Sequence, residues 1–249
     1  MDLIFYNGDH SVTFGTKNSW TDWHLIPASK PNIVPPSVKV KSLDIPGTNG
    51  SINLSIVLTG YPTYNNRTGS LEFILAPGFE SWENAKTTIS EYLHGRTMNL
   101  YLADDPEYYY TGIFYVNSFR SDARTNGITI NYDLYPFKHS ILSSDDDWLW
   151  DPFNFETGVI RSWHNVVVDG SLELVIEDCP EPAPVRILSS SDMSLVHTFV
   201  SYNGEQKTKE YTITAGQDNA IGPSLKPGRN VLTFTGDGTI SVKFRSGRL

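Results

Sequence analysis

The sequence predicts an all-β protein with one short helix, in two domains. Three observations carry that expectation. Apolar and polar residues alternate with period 2 in several separate stretches, turn dipeptides punctuate the stretches between them, and a single segment shows helical spacing.

The strand signals run in chain order. Ile52, Leu54, Ile56 and Leu58 alternate with Asn53, Ser55 and Val57, preceded by Pro46-Gly47 and Asn49-Gly50, so a hairpin is expected there. Ile128, Ile130, Tyr132 and Leu134 alternate with Thr129, Asn131 and Asp133. Leu172, Leu174 and Ile176 alternate with Glu173 and Glu177, and Ile240, Val242 and Phe244 with Ser241, Lys243 and Arg245. Each pattern gives one dry and one wet face, as in antiparallel sheets. Gly236-Asp237-Gly238 is expected to turn a hairpin between Val231–Thr235 and Thr239–Arg245.

The helix is expected near 82–94. Ser81 suits its N-cap and Glu83 its first turn. Trp82, Ala85, Ile89, Tyr92 and Leu93 form one apolar stripe, and Gly95 follows as the stop. The stripe is expected to pack on a sheet rather than to bind a ligand.

Domain 1 is expected over 1–140 and domain 2 over 141–249, with a connector about 139–157. Asp145-Asp146-Asp147 followed by Trp148-Leu149-Trp150 has no period, and its aromatics would pin the two domains together. A calcium loop is disfavoured there, because adjacent aspartates point in different directions and the ligand spacing of a calcium loop is absent.

A chain of 249 residues can bury a sizeable core without disulfides or metal. The formal net charge is −9. Residues 1–138 hold 10 basic and 13 acidic residues, net −3, and residues 139–249 hold 9 and 15, net −6. Neither part offers the Lys/Arg clustering that nucleic-acid backbones or acidic membranes require. The lone Cys179 allows neither an internal disulfide nor a cysteine zinc site. The first residues resemble no secretory signal, and no apolar run approaches the roughly 20 residues of a membrane span. No membrane insertion is expected, and synthesis in a cytoplasm is.

No catalytic pattern stands out. The six histidines form no metal-binding pair, and nucleophile elbows and phosphate loops are missing from the sequence. Cys179 lies beside Asp178, which raises rather than lowers a thiol pKa. Asp104, Asp105, Glu107, Glu173 and Glu177 could pair as in a glycosidase, but in an acidic chain such pairs arise by chance. No catalytic residue, cofactor or metal ligand is therefore assigned. Trp148, Trp150 and Trp163 are the candidates for sugar-facing aromatics, weighed against the general preference of aromatics for strands and interfaces.

Several blocks occur in a telling order. Ser19-Trp20-Thr21-Asp22-Trp23-His24-Leu25-Ile26-Pro27 precedes Lys41-Ser42-Leu43-Asp44-Ile45-Pro46-Gly47, Asn49-Gly50-Ser51-Ile52-Asn53 and Tyr64-Asn65-Asn66-Arg67. Leu93-His94-Gly95-Arg96, Asp105-Pro106-Glu107-Tyr108-Tyr109-Tyr110 and Tyr135-Pro136-Phe137-Lys138 follow. Over residues 18–138 this series resembles the distal tail protein family of siphophages infecting Gram-positive bacteria. The resemblance implies a tail-tube-like N-terminal β-barrel or sandwich and a galectin-like C-terminal β-sandwich. It implies a homo-hexameric ring in the virion tail tip, joining the tail tube to the tail-associated hub or lysin protein around the tape-measure protein. In some relatives receptor-binding proteins dock on the ring.

A ring subunit needs surfaces that fit its neighbours, not a catalytic cluster. The candidate contacts are Ile33, Val34 and Pro35 in the extended Lys30–Ser37 segment, and Tyr61, Tyr64 and Arg67 in the following loop. The competing functional expectation is a carbohydrate-binding module for host-surface attachment, seated in residues 150–249.

Overall fold

The computed structural model describes residues 8–47, 49–57, 59–76, 81–121, 126–144, 163–201, 204–219, 224–245 and 247–249. The expected connector residues Trp148 and Trp150, and Asp145–Asp147, lie outside the described residues. Sixteen strands and one helix are described. The first five strands are β1 (Val12–Phe14), β2 (Lys17–Asn18), β3 (Leu25–Pro27), β4 (Ser42–Asp44) and β5 (Ser51–Asn53). Then come β6 (Arg67–Leu75), α1 (Trp82–Leu93), β7 (Arg96–Leu102), β8 (Tyr108–Ser121), β9 (Asn126–Leu134) and β10 (Lys138–Ser140). The last six are β11 (Val166–Cys179), β12 (Arg186–Ser189), β13 (Met193–Val200), β14 (Gln206–Ile213), β15 (Gly228–Lys243) and β16 (Gly247–Arg248).

The chain divides into two compact units. One holds the described residues up to Lys39 together with Tyr64–Lys138, and the other holds Val40–Thr63 together with His139–Arg248. Residues 40–63 thus group with the second unit, whereas the sequence boundaries would place them in the first.

The first unit is a curled antiparallel sheet in the order β2-β1-β7-β8-β9-β6-β3. Its two ends meet: Leu25 N in β3 donates to the carbonyl of Ser19, just after β2, at 2.7 Å. The alternation read in β9 is realised. Ile128, Ile130, Tyr132 and Leu134 are buried, with Phe14, Phe73, Leu100 and Phe114 in the same cluster. Helix α1 buries Ala85, Ile89 and Leu93 in that cluster, with Trp82 and Tyr92 at its margin. The Ser81 hydroxyl accepts from Asn84 N, and Gly95 (φ +75) ends the helix. Tyr92 ties the helix to the sheet: its hydroxyl donates to the Phe14 carbonyl at 3.0 Å and accepts from Thr16 N.

Two glycines let the sheet close up. A Cβ at Gly112 would stand 2.2 Å from the Asp133 carbonyl oxygen on β9, and one at Gly69 would strike the Tyr132 ring. That ring crosses Gly69 and carries its hydroxyl to Val34 N.

The second unit is built on β15. This strand of 16 residues pairs with β11 between Gly228 and Ile240, with β13 over Asn230–Thr235 and with β12 over Ile240–Lys243. The expected hairpin at Gly236-Asp237-Gly238 is corrected here. The glycines do not reverse the chain; they bend one continuous strand from one partner to the next. Gly236 and Gly238 have φ of 145° and 146°, open only to glycine, and a Cβ at Gly238 would collide with the Ser190 and Ser191 hydroxyls. The opposing β11 bends at Gly170 (φ +70), which pairs with Gly236 and donates its N–H to the Asp237 carboxylate. The core expected from the alternations forms, with Leu174, Ile176, Ile240, Val242 and Phe244 buried.

The β4–β5 ribbon departs from expectation in a second way. The hairpin exists, with Ser42, Leu43 and Asp44 opposite Asn53, Ile52 and Ser51. The long amphipathic strand does not. β5 stops at Asn53, and the chain then turns, with Val57 N bonded to the Leu54 carbonyl and Gly60 N to that of Ile56. Alternation alone could not show that this segment lacks a sheet to lie on.

Candidate interaction surfaces

The β4–β5 ribbon exposes apolar surface. All six strand residues are exposed, Leu43 (50%) and Ile52 (48%) among them, and Val40 (74%) before β4 and Val57 (66%) after β5 are exposed as well. A two-stranded hairpin is marginal in water on its own, and clustered exposed apolar side chains mark association surfaces. The sequence placed a hairpin here but did not single out these residues as contacts. The signal was available in the apolar side chains of a segment otherwise rich in turns. Tyr61, on the same stretch, is half-buried, and its carbonyl accepts from the Thr59 hydroxyl.

In the first unit the Lys30–Ser37 segment lies along its own sheet. Pro31, Ile33 and Pro36 are buried, and Ile33 belongs to the core cluster. Val34 and Pro35 are exposed, with Val34 49% accessible. The segment returns at Val38, which bridges Tyr64, and Asn65 N bonds to the Ser37 carbonyl. Tyr64 packs edge-on against Phe137 at 5.6 Å.

Arg67 is buried, at 4% accessibility. Its Nε donates to the Pro136 carbonyl at 2.7 Å and its Nη1 to the Val34 carbonyl at 3.3 Å, while the guanidinium lies over the Tyr110 ring. Burial pushes its pKa down, and burial pushes the Tyr110 phenol up. Arg67, on β6, thus joins that strand to the extended segment, β8 and the chain after β9. Of the six candidate contacts, the structure leaves Val34 and Pro35 facing outward, Tyr61 and Tyr64 half-buried, and Ile33 and Arg67 engaged internally.

Trp163 stacks on Phe244 at 5.4 Å, and its backbone joins Ser144 to Val242. Three of the five carboxylates weighed for catalysis are bound up in ion pairs. Asp104 meets His10 at 2.8 Å and Lys30 at 3.5 Å, Asp105 meets Lys138, and Glu177 meets Arg229 at 3.1 Å. A cleft of about 280 Å³ lies between Ser29–Asn32 and Ser70–Phe73, with Lys30 and Glu72 among its lining residues. Among the described residues no group of three His, Cys, Asp or Glu could hold a metal ion, and no helix is long and apolar enough to cross a membrane.

The second unit holds one buried histidine. His197 is 1% accessible, and its Nε2 meets the Asn230 side-chain oxygen at 3.0 Å, while its Nδ1 is buried without a partner. Burial pushes its pKa below 6.5, against the opposing Asn230 bond and with help from Lys226 and Lys209. Asn230 also accepts from Lys226 N and donates to the Lys226 and Gly228 carbonyls, so it shapes the turn into β15.

These features define a class: a mostly β, two-unit chain with one helix among the described residues and an exposed hairpin carrying apolar side chains. No family model matches the sequence, and no curated protein matches it. A solved structure shares the fold over almost the full length. It is the SPP1 Dit (gp 19.1) protein, described as a paradigm of the hub adsorption apparatus in Gram-positive infecting phages. The TM-score is 0.61 at 13% sequence identity, covering 96% of this chain and 99% of that one.

Proposed function

We propose that this chain is a structural hub subunit of a bacteriophage tail tip, assembling as a homo-hexameric ring in the virion. The observation that carries the proposal is the end-to-end fold match to a phage hub protein, 96% of one chain against 99% of the other. A match of that extent leaves little of either chain for a separate added module. In this reading the ring joins the tail tube to the tail-associated hub or lysin protein around the tape-measure protein, and receptor-binding proteins are further candidates to dock on it. The second unit takes the place of the galectin-like sandwich that the sequence resemblance implies.

The exposed ribbon supports the assembly part of the proposal. A cyclic ring requires two different patches on each subunit that meet head to tail. Leu43 and Ile52, opposite each other across the ribbon, form one such apolar pair that gains by being covered, since complete burial of such a side chain contributes about 1.5–3 kcal/mol and roughly half of that remains available here.

Light scattering coupled to size exclusion, followed by negative-stain microscopy, tests the reading. Six-fold rings are expected, formed by the chain alone or upon addition of a tail-tube or hub partner. A chain that stays monomeric at all concentrations and with those partners sinks the proposal. The Leu43→Asp, Ile52→Asp double variant should remain folded, because both side chains are about half exposed, and should lose the rings.

A further inference from the structure

We propose that Asn49 is a site of spontaneous covalent modification, converting to aspartate and isoaspartate through a cyclic imide with Gly50, and that the fold selects it over the same dipeptide at Asn126. The inference stands on local geometry and does not depend on any assembly role of the hairpin.

The chemistry needs no enzyme or cofactor. The backbone nitrogen of Gly50 attacks the side-chain Cγ of Asn49 and forms a new N–Cγ bond. The Cγ–Nδ2 bond breaks, and Nδ2 departs as ammonia with the proton that Gly50 N gives up. One water then adds to the five-membered imide. Opening at one carbonyl gives aspartate; opening at the other gives isoaspartate, in which the backbone runs through the former side chain. No electrons change hands.

Attack requires the backbone to swing so that the following nitrogen reaches Cγ. That is open to an Asn in a loose exposed turn whose successor has no side chain. Asn49 and Gly50 are both exposed and come after β4 ends at Asp44 and before β5 begins at Ser51. Gly50 has φ +76, and nothing stands within 4 Å of the place a Cβ would take.

Asn126–Gly127 is the internal comparison. Gly127 is paired on both sides, with Ile74 of β6 and Arg120 of β8. Asn126 is opposite Ser121, and its side-chain oxygen accepts from the Ser121 hydroxyl at 2.9 Å. An extended strand holds the Gly127 nitrogen away from Cγ, so reaction there waits for local opening of the sheet. Asn7 and Asn203 also precede glycines but lie outside the described residues and do not enter the comparison.

Each event replaces a neutral amide by a carboxylate at the hairpin tip of a chain already at −9. The isoaspartate product also lengthens the loop backbone by one methylene.

The test is to age the folded full-length chain at mildly alkaline pH and physiological temperature, then map peptides by mass spectrometry with isoaspartate methylation as a second readout. The peptide between Lys41 and Arg67 should gain acid at Asn49, as two separable isomers. It should do so at least about tenfold faster than Asn126, the factor that 1.4 kcal/mol of opening free energy imposes. Asn49→Gln, which would have to close a larger ring, should abolish the signal at that position. In urea the two rates should converge, since both sites are then Asn-Gly in an open chain. Equal rates in the folded protein, an intact Asn49 beside a reacting Asn126, or a difference that persists in urea would each overturn the proposal.

Discussion

His197 is the side chain with the sharpest consequence for stability. Its folded pKa lies below 6.5, so above that pH the folded and unfolded states are both neutral and its contribution is complete. As pH falls below 6.5 the unfolded chain takes up a proton that the folded chain resists. Stability then drops by up to about 1.4 kcal/mol per pH unit until the folded pKa is reached. Thermal melts of the full chain should show this loss starting near neutrality, and His197→Gln should flatten it. Asp22 acts in a separate, lower window. Hydrogen bonds from Lys17 and from Asn18 N hold its carboxyl below 3.8, so its contribution is lost only as pH falls through that lower range. Gly112 is the sharpest steric case. Alanine there would meet backbone, 2.2 Å from the Asp133 oxygen, and strands cannot move aside as a side chain can. Gly112→Ala should cost about 1–3 kcal/mol or more by overpacking, measured as a lower denaturant midpoint. Gly69→Ala should cost less, because the atoms in its way belong to the Tyr132 ring.

At the scale of elements, α1 depends far more on its buried face than on its cap. Ile89 is completely buried, so Ile89→Ala should cost about 2–5 kcal/mol. The Ser81 cap bond is long, at 3.4 Å, so Ser81→Ala should fall near the low end of cap losses, about 0.5 kcal/mol, in urea unfolding. The helix was legible in the sequence because its start, stripe and stop agree. So were β9 and the ends of β11 and β15, where one face is buried and the period of 2 has a physical cause. The bend at Gly236–Gly238 was not legible. Glycines that bend a strand and glycines that reverse it share one composition, and only the partners β12 and β13 distinguish them. The end of β5 was hidden for the converse reason: Leu54 and Ile56 keep the alternation of a strand that has no neighbouring sheet. Among the candidate contacts, exposure separated residues that the sequence treats alike. Ile33 and Val34 are adjacent and both apolar, yet the extended backbone turns one into the core and the other to solvent.

For the whole molecule, two forces of opposite sign bear on assembly. Every copy carries −9, so a ring of six concentrates six times that charge and each addition works against repulsion. Against this stands the ribbon with its flanking residues, where Leu43 and Ile52 on the strands and Val40 and Val57 beside them are exposed in the isolated chain. Salt acts on the two unequally. Raising ionic strength from about 0.1 M to 1 M shortens the screening length from roughly 10 Å to 3 Å, which removes most of the repulsion between subunits. Burial of the ribbon does not depend on charge and keeps its strength. Assembly of the proposed ring should therefore increase with sodium chloride, and the gain should be largest at low protein concentration, where the repulsive cost decides the outcome. Mass photometry across a salt series reads this directly as a shift from single chains to higher-order species. The Leu43→Asp, Ile52→Asp variant should stay monomeric throughout the series, since screening cannot restore the apolar contact. If salt instead disperses the wild-type assemblies, complementary charges rather than the ribbon hold them, and the interface lies elsewhere on the chain.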